Sequence, residues 1–347
     1  MPFSGSDRSS GLRILLGIGQ TLFESSPVEA LANDLAEAFE GFCSGIEILR
    51  FPWVRGDESS VLRQLVAYRS LELQVPAAGD ERQIFVALET PALLIPHAEK
   101  IVWLAHFREG PGGLGMGTRS PVARREWRRI HRAALSKGVG ALHSMSAEAS
   151  WELYRATGVE APVLRPPPPP TRAPLPPLGE DDLLVPLAEV GSRPLLVLDA
   201  LARTTAEIPA VFAGSADSCQ AVRSGAEQRG LSFLVETVEG DVKSLGNRRF
   251  FATLLANRGS LTCWEGHRAL ATSRRVIACS DSGAVAECLH QNGDGDLVPA
   301  RPDKIAAALD RIWSDPASGE AGDSSDHALR RGGGGWATSI SQLIGVA

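Results

Sequence analysis

At 347 residues, with 44% hydrophobic and 22% charged side chains, the chain has enough apolar material for ordinary globular cores, which excludes a disordered or fibrous protein and suits two domains. A net charge of −6 leaves no electrostatic footprint for nucleic acid, so a nucleic-acid partner is not expected.

The opening MPFSGSDRSS is polar, and the apolar run Ile14 to Ile18 is too short for a signal segment. Nowhere does the chain hold about 20 consecutive apolar residues, so it is expected to be soluble, at most touching a membrane from outside. Five cysteines, Cys43, Cys219, Cys263, Cys279 and Cys288, are scattered without a C-x-x-C pair. They favour a reduced, cytoplasmic location and argue against a zinc site or a disulfide framework.

Arg13 to Ile18 reads as a first strand ending in a Gly17-Ile18-Gly19 turn. A G-x-G without a third glycine is a weak phosphate signal, and a tight strand-to-helix turn explains it as well. Ser26 as N-cap and Pro27 at the first helical position then start a helix whose Val28, Leu31, Leu35, Ala38 and Phe39 recur at helical spacing. Ile46 to Arg50 predicts a strand, Ser60 to Ala67 a helix and Gln83 to Leu88 a strand.

Trp103-Leu-Ala-His106 ends the next strand, with Arg108 close behind. A histidine at a strand's carboxyl end faces the crevice of an open α/β sheet, where it can hydrogen-bond a sugar hydroxyl or meet a phosphate. The bland alternative is a histidine satisfied by a nearby carbonyl. Glu109 to Gly117 is glycine-rich, suiting either a loop that folds over substrate or a plain connection. Pro121 to Arg132 is a strongly basic helix, most simply a solvated face. A strand from Val139 to Met145, a helix through Leu153 and Val163 to Arg165 complete an alternating half.

Pro166 to Pro177 is stiff, extended and unable to enter a sheet interior, which makes it a linker between two halves rather than a ligand for a signalling domain. Beyond it the pattern predicts strands at Leu183–Leu187, Ala210–Gly214, Leu231–Glu236 and Phe250–Ala256, with helices at Pro194–Ala202 and Cys219–Arg229. Glu265 to Thr272 reads as a short helix, Val276 to Cys279 as a strand, Ala284 to His290 as a helix and Leu297 to Pro299 as a strand. Between the Val276–Cys279 strand and the helix from Ala284 lies an Asp281-Ser282-Gly283 turn, where a ligand phosphate could meet the helix N-terminus. Pro302 to Trp313 and Trp336 to Ile344 read as the closing helices.

Two stretches carry a resemblance. Ala269-Leu-Ala-Thr-Ser-Arg-Arg-Val-Ile-Ala-Cys-Ser-Asp281-Ser-Gly-Ala-Val-Ala-Glu287, followed by Asn292-Gly293 and Leu297-Val298-Pro299, resembles the donor-site stretch of the family 4 glycosyltransferases, retaining enzymes of the GT-B fold. The Trp-Leu-x-His strand with its following Arg resembles a subgroup of the same family. The resemblance implies an α/β protein of GT-B architecture, two Rossmann-like domains facing across a cleft. Residues 1–165 would bind a glycan, lipid or small-molecule acceptor, 166–181 would link, and 182–330 would bind a nucleotide-diphosphate sugar. Residues 331–347 would form a helix packing back on the first domain.

The resemblance further implies a catalytic His106 and donor or phosphate contacts from Arg108 and the Ser282 and Gly283 N–H groups, with Arg193 and Arg268 standing in for family cations that are missing. Asp281 and Glu287 would meet the nucleotide, Gly17 and Gly19 a glycine loop, and neither metal nor cofactor would be needed. The bland alternative for Glu287 is an exposed helix residue. The family's Arg and Lys after the first strand of the second domain fall at Leu187 and Ser192, and its glutamate pair at Ser260 and Arg268. Arg193 is the neighbouring substitute, and Arg268 could bring charge from a new direction. One well-placed donor is worth about 2.7 to 4 kcal/mol in a transition state, so these losses keep a second expectation alive. That alternative is a non-catalytic GT-B scaffold binding a nucleotide, a glycan or a partner protein.

Overall fold

The computed structural model describes residues 11–21, 27–40, 42–54, 57–71, 73, 82–107, 120–166, 182–187, 192–240, 245, 248, 250–258, 266, 269, 273–292, 295–314 and 343. Those up to residue 166, with Leu343, form one compact unit, and those from 182 to 314 form a second. Ser26, Arg108, Glu265, Arg268, the glycine-rich run, nearly all of the proline-rich segment and the final helix apart from Leu343 lie outside the described residues.

The first unit contains β1 (Leu12–Thr21), α1 (Pro27–Phe39), β2 (Gly45–Trp53), α2 (Glu58–Arg69), β3 (Arg82–Ala87), β4 (Lys100–Leu104), α3 (Pro121–Leu135), β5 (Ala141–Ser144) and α4 (Ala147–Thr157). Its five strands lie in the order β2-β1-β3-β4-β5, and every pairing is parallel. Strands covered by helices on both faces read as continuous apolar runs, and β4, KIVWL, is buried at every position. The helical spacing in α1 places Val28, Leu31, Leu35 and Phe39 fully in the core. In α3 the stripe Ala123, Trp127, Ile130, Ala134 and Leu135 is buried, while Arg124, Arg125, Arg128, Arg129 and Arg132 stay exposed. Ser120 caps this helix, its hydroxyl accepting from Ala123 N at 3.3 Å.

The second unit holds β6 (Leu183–Pro186), α5 (Pro194–Leu201), β7 (Ala210–Gly214), α6 (Ala216–Gln228), β8 (Val235–Glu239) and β9 (Phe250–Leu255). Then come β10 (Ser273–Cys279), α7 (Ala284–Asn292), β11 (Asp296–Val298) and α8 (Pro302–Ser314). Read from β8, its six strands run β8-β7-β6-β9-β10-β11, all parallel. That is the doubly wound dinucleotide-fold order, whose reversal lies between β6 and β9. Its main core gathers Leu183, Val185, Phe212, Leu254 and Ile277 from one face of the sheet, with Leu198, Val222 and Leu309 from helices packed on it.

Three expectations change. The first strand runs on to Thr21, so Gly17 and Gly19 lie inside β1, each still paired in register with β2, and not in a turn. Leu231 to Leu234 curls back on α6, Leu231 N donating to Ala226 O at 2.9 Å, so β8 starts only at Val235. Val163 contributes a single parallel bridge to Ser144 rather than a strand. No described helix is long and apolar enough to cross a membrane.

Candidate functional site

In an open parallel sheet, ligands enter at the carboxyl ends of the strands where the winding reverses. In the first unit that point lies between β1 and β3. Gly19 N donates across it to Glu89 Oε1 at 3.0 Å, and Glu89 comes two residues after β3. A Cβ on Gly19 would stand 3.0 Å from both Pro91 Cδ and Thr90 O, and one on Gly17 only 2.6 Å from the Phe85 ring. Both glycines are therefore explained by close packing of β1 on β3 and the segment after it.

Glu89 is only 8% exposed, and a carboxylate that far from water needs partners. Besides the Gly19 amide it has His106, whose Nε2 is 3.5 Å from Glu89 Oε2. His106 comes two residues after β4 and keeps a quarter of its side chain accessible. The carboxylate thus joins a backbone amide to a partly exposed imidazole, a pair suited to holding a ligand hydroxyl. Glu89 escaped the sequence reading. Its one signal is an acidic residue directly after an apolar strand.

Behind this pair lies a second, closed histidine. His131 Nδ1 is 2.9 Å from Trp127 O, and a carbonyl can only accept, so Nδ1 carries the proton. Nε2 then accepts from the Thr90 hydroxyl at 3.2 Å. His131 is fully buried and stacks on Trp127 at 3.8 Å, and burial pulls its pKa down to about 4. It is a neutral packing group beneath the Thr90 segment. Nearby, Lys100 donates to Leu93 O at 2.8 Å and Ile95 O at 3.1 Å, with burial pulling its ammonium down to about 8.

At the reversal point of the second unit, the chain leaving β6 starts α5 at Arg193, and the chain leaving β9 passes Ala256, Asn257 and Arg258. Arg193 Nε donates to Ala256 O at 2.6 Å. Its two terminal nitrogens hold Asp281 in a fork, at 2.8 and 2.7 Å. The Arg193 fork keeps the Asp281 carboxyl below the usual carboxylate range, and the Arg258 charge adds to the effect. Cys279, at the end of β10, is pushed up to about 11 by burial and is no nucleophile.

Ser282 is fully buried. Its N–H donates to Cys279 O at 2.9 Å and its hydroxyl to Leu255 O at 3.0 Å. The expected pair of N–H groups for phosphate therefore lacks its first member, because the Ser282 amide closes the turn instead. Gly283 adopts φ 73°, the left-handed conformation that suits glycine as the chain enters α7. Glu287, half-buried in the first turn of α7, donates its N–H to Gly283 O at 3.4 Å.

The fold thus brings Arg193 and Asp281 together, which the sequence had placed 88 residues apart without linking them. It adds Asn257, Arg258 and Ser192 to the same reversal point. Leu187, just after β6, is 8% exposed and packs in the core. Among the described residues no three His, Cys, Asp or Glu side chains gather as a metal-holding group.

No family model matches the chain, and no curated protein is similar to it in sequence. Solved structures are similar in fold. WaaG, a glycosyltransferase involved in lipopolysaccharide biosynthesis, is 11% identical with a TM-score of 0.65, covering 95% of this chain and 99% of that one. The apo lipopolysaccharide outer core galactosyltransferase WaaB is 13% identical, with a TM-score of 0.58 and coverages of 96% and 99%. HepE of Anabaena, in complex with UDP and glucose, is 12% identical, with a TM-score of 0.57 and coverages of 96% and 95%. At such identities the likeness speaks for fold: α/β, with the GT-B architecture of glycosyltransferases built from two Rossmann-like units.

Proposed function

We propose that the protein is a glycosyltransferase of the family 4 type, moving a sugar from a nucleoside-diphosphate donor to a glycan, lipid or small-molecule acceptor with retention of configuration. The observation that carries this is the polar set at the reversal point of the second unit, where a dinucleotide-fold sheet presents Arg193, Arg258 and Asn257. A departing diphosphate develops negative charge, and fixed cations and N–H donors in a site screened from water stabilise it without reorganising. In this reading the chain's own arginines serve that role and no resident metal is needed. Arg268 and Arg108 belong to the same proposal, as do Glu287 toward the ribose and Gly283 toward phosphate. The complexes of HepE with UDP and with UDP-glucose support a uridine donor.

His106, held by Glu89, would meet the transferred sugar or the acceptor hydroxyl. A groove of about 730 Å3 in the first unit is lined by the apolar Leu62, Val66 and Val122, with Arg63 and Arg125 balanced by Glu58 and Glu126, and its apolar part suits peripheral contact with a membrane that carries a lipid acceptor. Location is taken to be cytoplasmic, where nucleotide sugars and reduced thiols coexist. The test is a donor-hydrolysis and transfer assay over a panel of nucleotide sugars. Slow hydrolysis of one donor, reduced at least about 100-fold in His106→Ala, is the expected result. A folded protein that hydrolyses and transfers none of them would leave only the scaffold.

A further inference from the structure

Two buried polar atoms in the second unit have no hydrogen-bond partner among the described residues: Ser192 Oγ and Asn257 Nδ2. Asn257 is only 2% exposed. Folded chains almost always satisfy such groups, because an unpaired buried donor keeps its full desolvation penalty. Their placement is specific. Arg193 Nε donates to Ala256 O, and the two orphans are the residues on either side of that bond, Ser192 before the donor and Asn257 after the acceptor. They therefore share the β6/β9 reversal point, where a ligand would reach both strand ends.

The cation of the same point is already engaged. The Arg193 fork on Asp281, with Nε on Ala256 O, uses three of the guanidinium's five N–H donors. A fork on a carboxylate has the geometry a fork on a phosphate would have, two parallel N–H bonds to two oxygens of an anion. Asp281 is exposed enough to swing away, with 44% of its side chain accessible, and it sits in a turn rather than inside a strand or helix.

We infer that Ser192 and Asn257 are the direct hydrogen-bond donors to the diphosphate of the sugar donor, and that Asp281 is an internal carboxylate which the arriving phosphate displaces from Arg193. This rests on the donor-site proposal above and deepens it, since it assigns to two neutral residues the contacts that cations supply elsewhere in the family. It also reverses the role expected for Asp281, from nucleotide ligand to competitor. Before the ligand arrives, the carboxylate keeps an otherwise unbalanced arginine neutralised. Once the phosphate is seated, Arg193 changes one anion for another while the orphan donors gain their first partners.

Calorimetric titration of UDP and GDP into the full chain and its Asn257→Asp, Asn257→Ala, Ser192→Ala and Asp281→Asn variants tests this. Circular dichroism and thermal midpoints check that each variant is folded. Both Asn257 variants are expected to weaken the preferred nucleotide at least about tenfold, the loss of one hydrogen bond to a charged group. Ser192→Ala should weaken it less, and Asp281→Asn should tighten it by about threefold or more. Binding to Asp281→Asn but not to the unaltered chain also supports the inference. Unchanged affinity in the Asn257 variants, or weaker binding in Asp281→Asn, overturns it while the donor proposal stands on the unaltered chain's binding. No binding by any of the folded proteins overturns both.

Discussion

Glu89 shows how much one buried carboxylate can organise. It holds the Gly19 amide at 3.0 Å and stands 3.5 Å from His106, so its loss touches both stability and the candidate site. Glu89→Ala should lower unfolding free energy by about 1 to 3 kcal/mol, the loss of a part-buried hydrogen bond to a charged group. Glu89→Gln keeps an acceptor for Gly19 and should lose less. Denaturant unfolding of the pair checks the order, and equal losses would sink the claim that the Gly19 bond matters. His131 makes a prediction in pH. Its folded value of about 4 lies below the ordinary 6.5, so between those values the unfolded chain binds the proton first. Its contribution is therefore complete above pH 6.5 and is lost as pH falls toward 4, by at most about 3 kcal/mol. His131→Gln should flatten that part of the stability profile, and an unchanged slope would remove His131 as its source.

At the scale of elements, the close contacts of β1 decide what its glycines do. The helix–strand alternation made Gly17-Ile18-Gly19 resemble a turn, yet the β1 ladder continues beyond it because the neighbouring β2 runs alongside to Trp53. Gly17 lets Phe85 and Ala92 pack on the strand, where an added Cβ would lie 2.6 and 2.9 Å from their side chains. Gly17→Ala should accordingly destabilise by about 1 to 3 kcal/mol through overpacking. Gly214, at the end of β7, faces the same limit in the second unit, 2.7 Å from Leu187 Cβ. A Gly17→Ala protein as stable as the parent in a thermal melt would show that β1 can shift to make room.

For the whole molecule, each unit carries its own core: Phe85, Val102, Leu104, Trp127 and Leu153 in the first, Phe212, Leu254, Ile277 and Leu309 in the second. Each sheet is complete within its unit. A fragment of residues 168–334, the full extent of the second unit, should therefore fold alone and unfold in one cooperative transition. A fragment without a cooperative melt would mean that the first unit is needed to hold the second together.

Local order and unit composition were written in the chain. Apolar runs of strand length alternating with helical periodicity gave nearly every described element, because both periods come from backbone geometry and survive without tertiary context. His106 and Arg193 were readable as candidates because each sits where a strand or loop ends. What only the tertiary structure decided were relations between distant residues. The Arg193–Asp281 fork, the Gly19–Glu89 bond and the two orphans beside the Arg193–Ala256 bond each join segments brought side by side by parallel crossovers. The sequence names Asn257 and Glu89 as ordinary polar residues, and Ser192 only as the place of a missing cation. Whether a polar atom is paired, buried or turned against its neighbour depends on strand order, and strand order is fixed by packing the whole sheet.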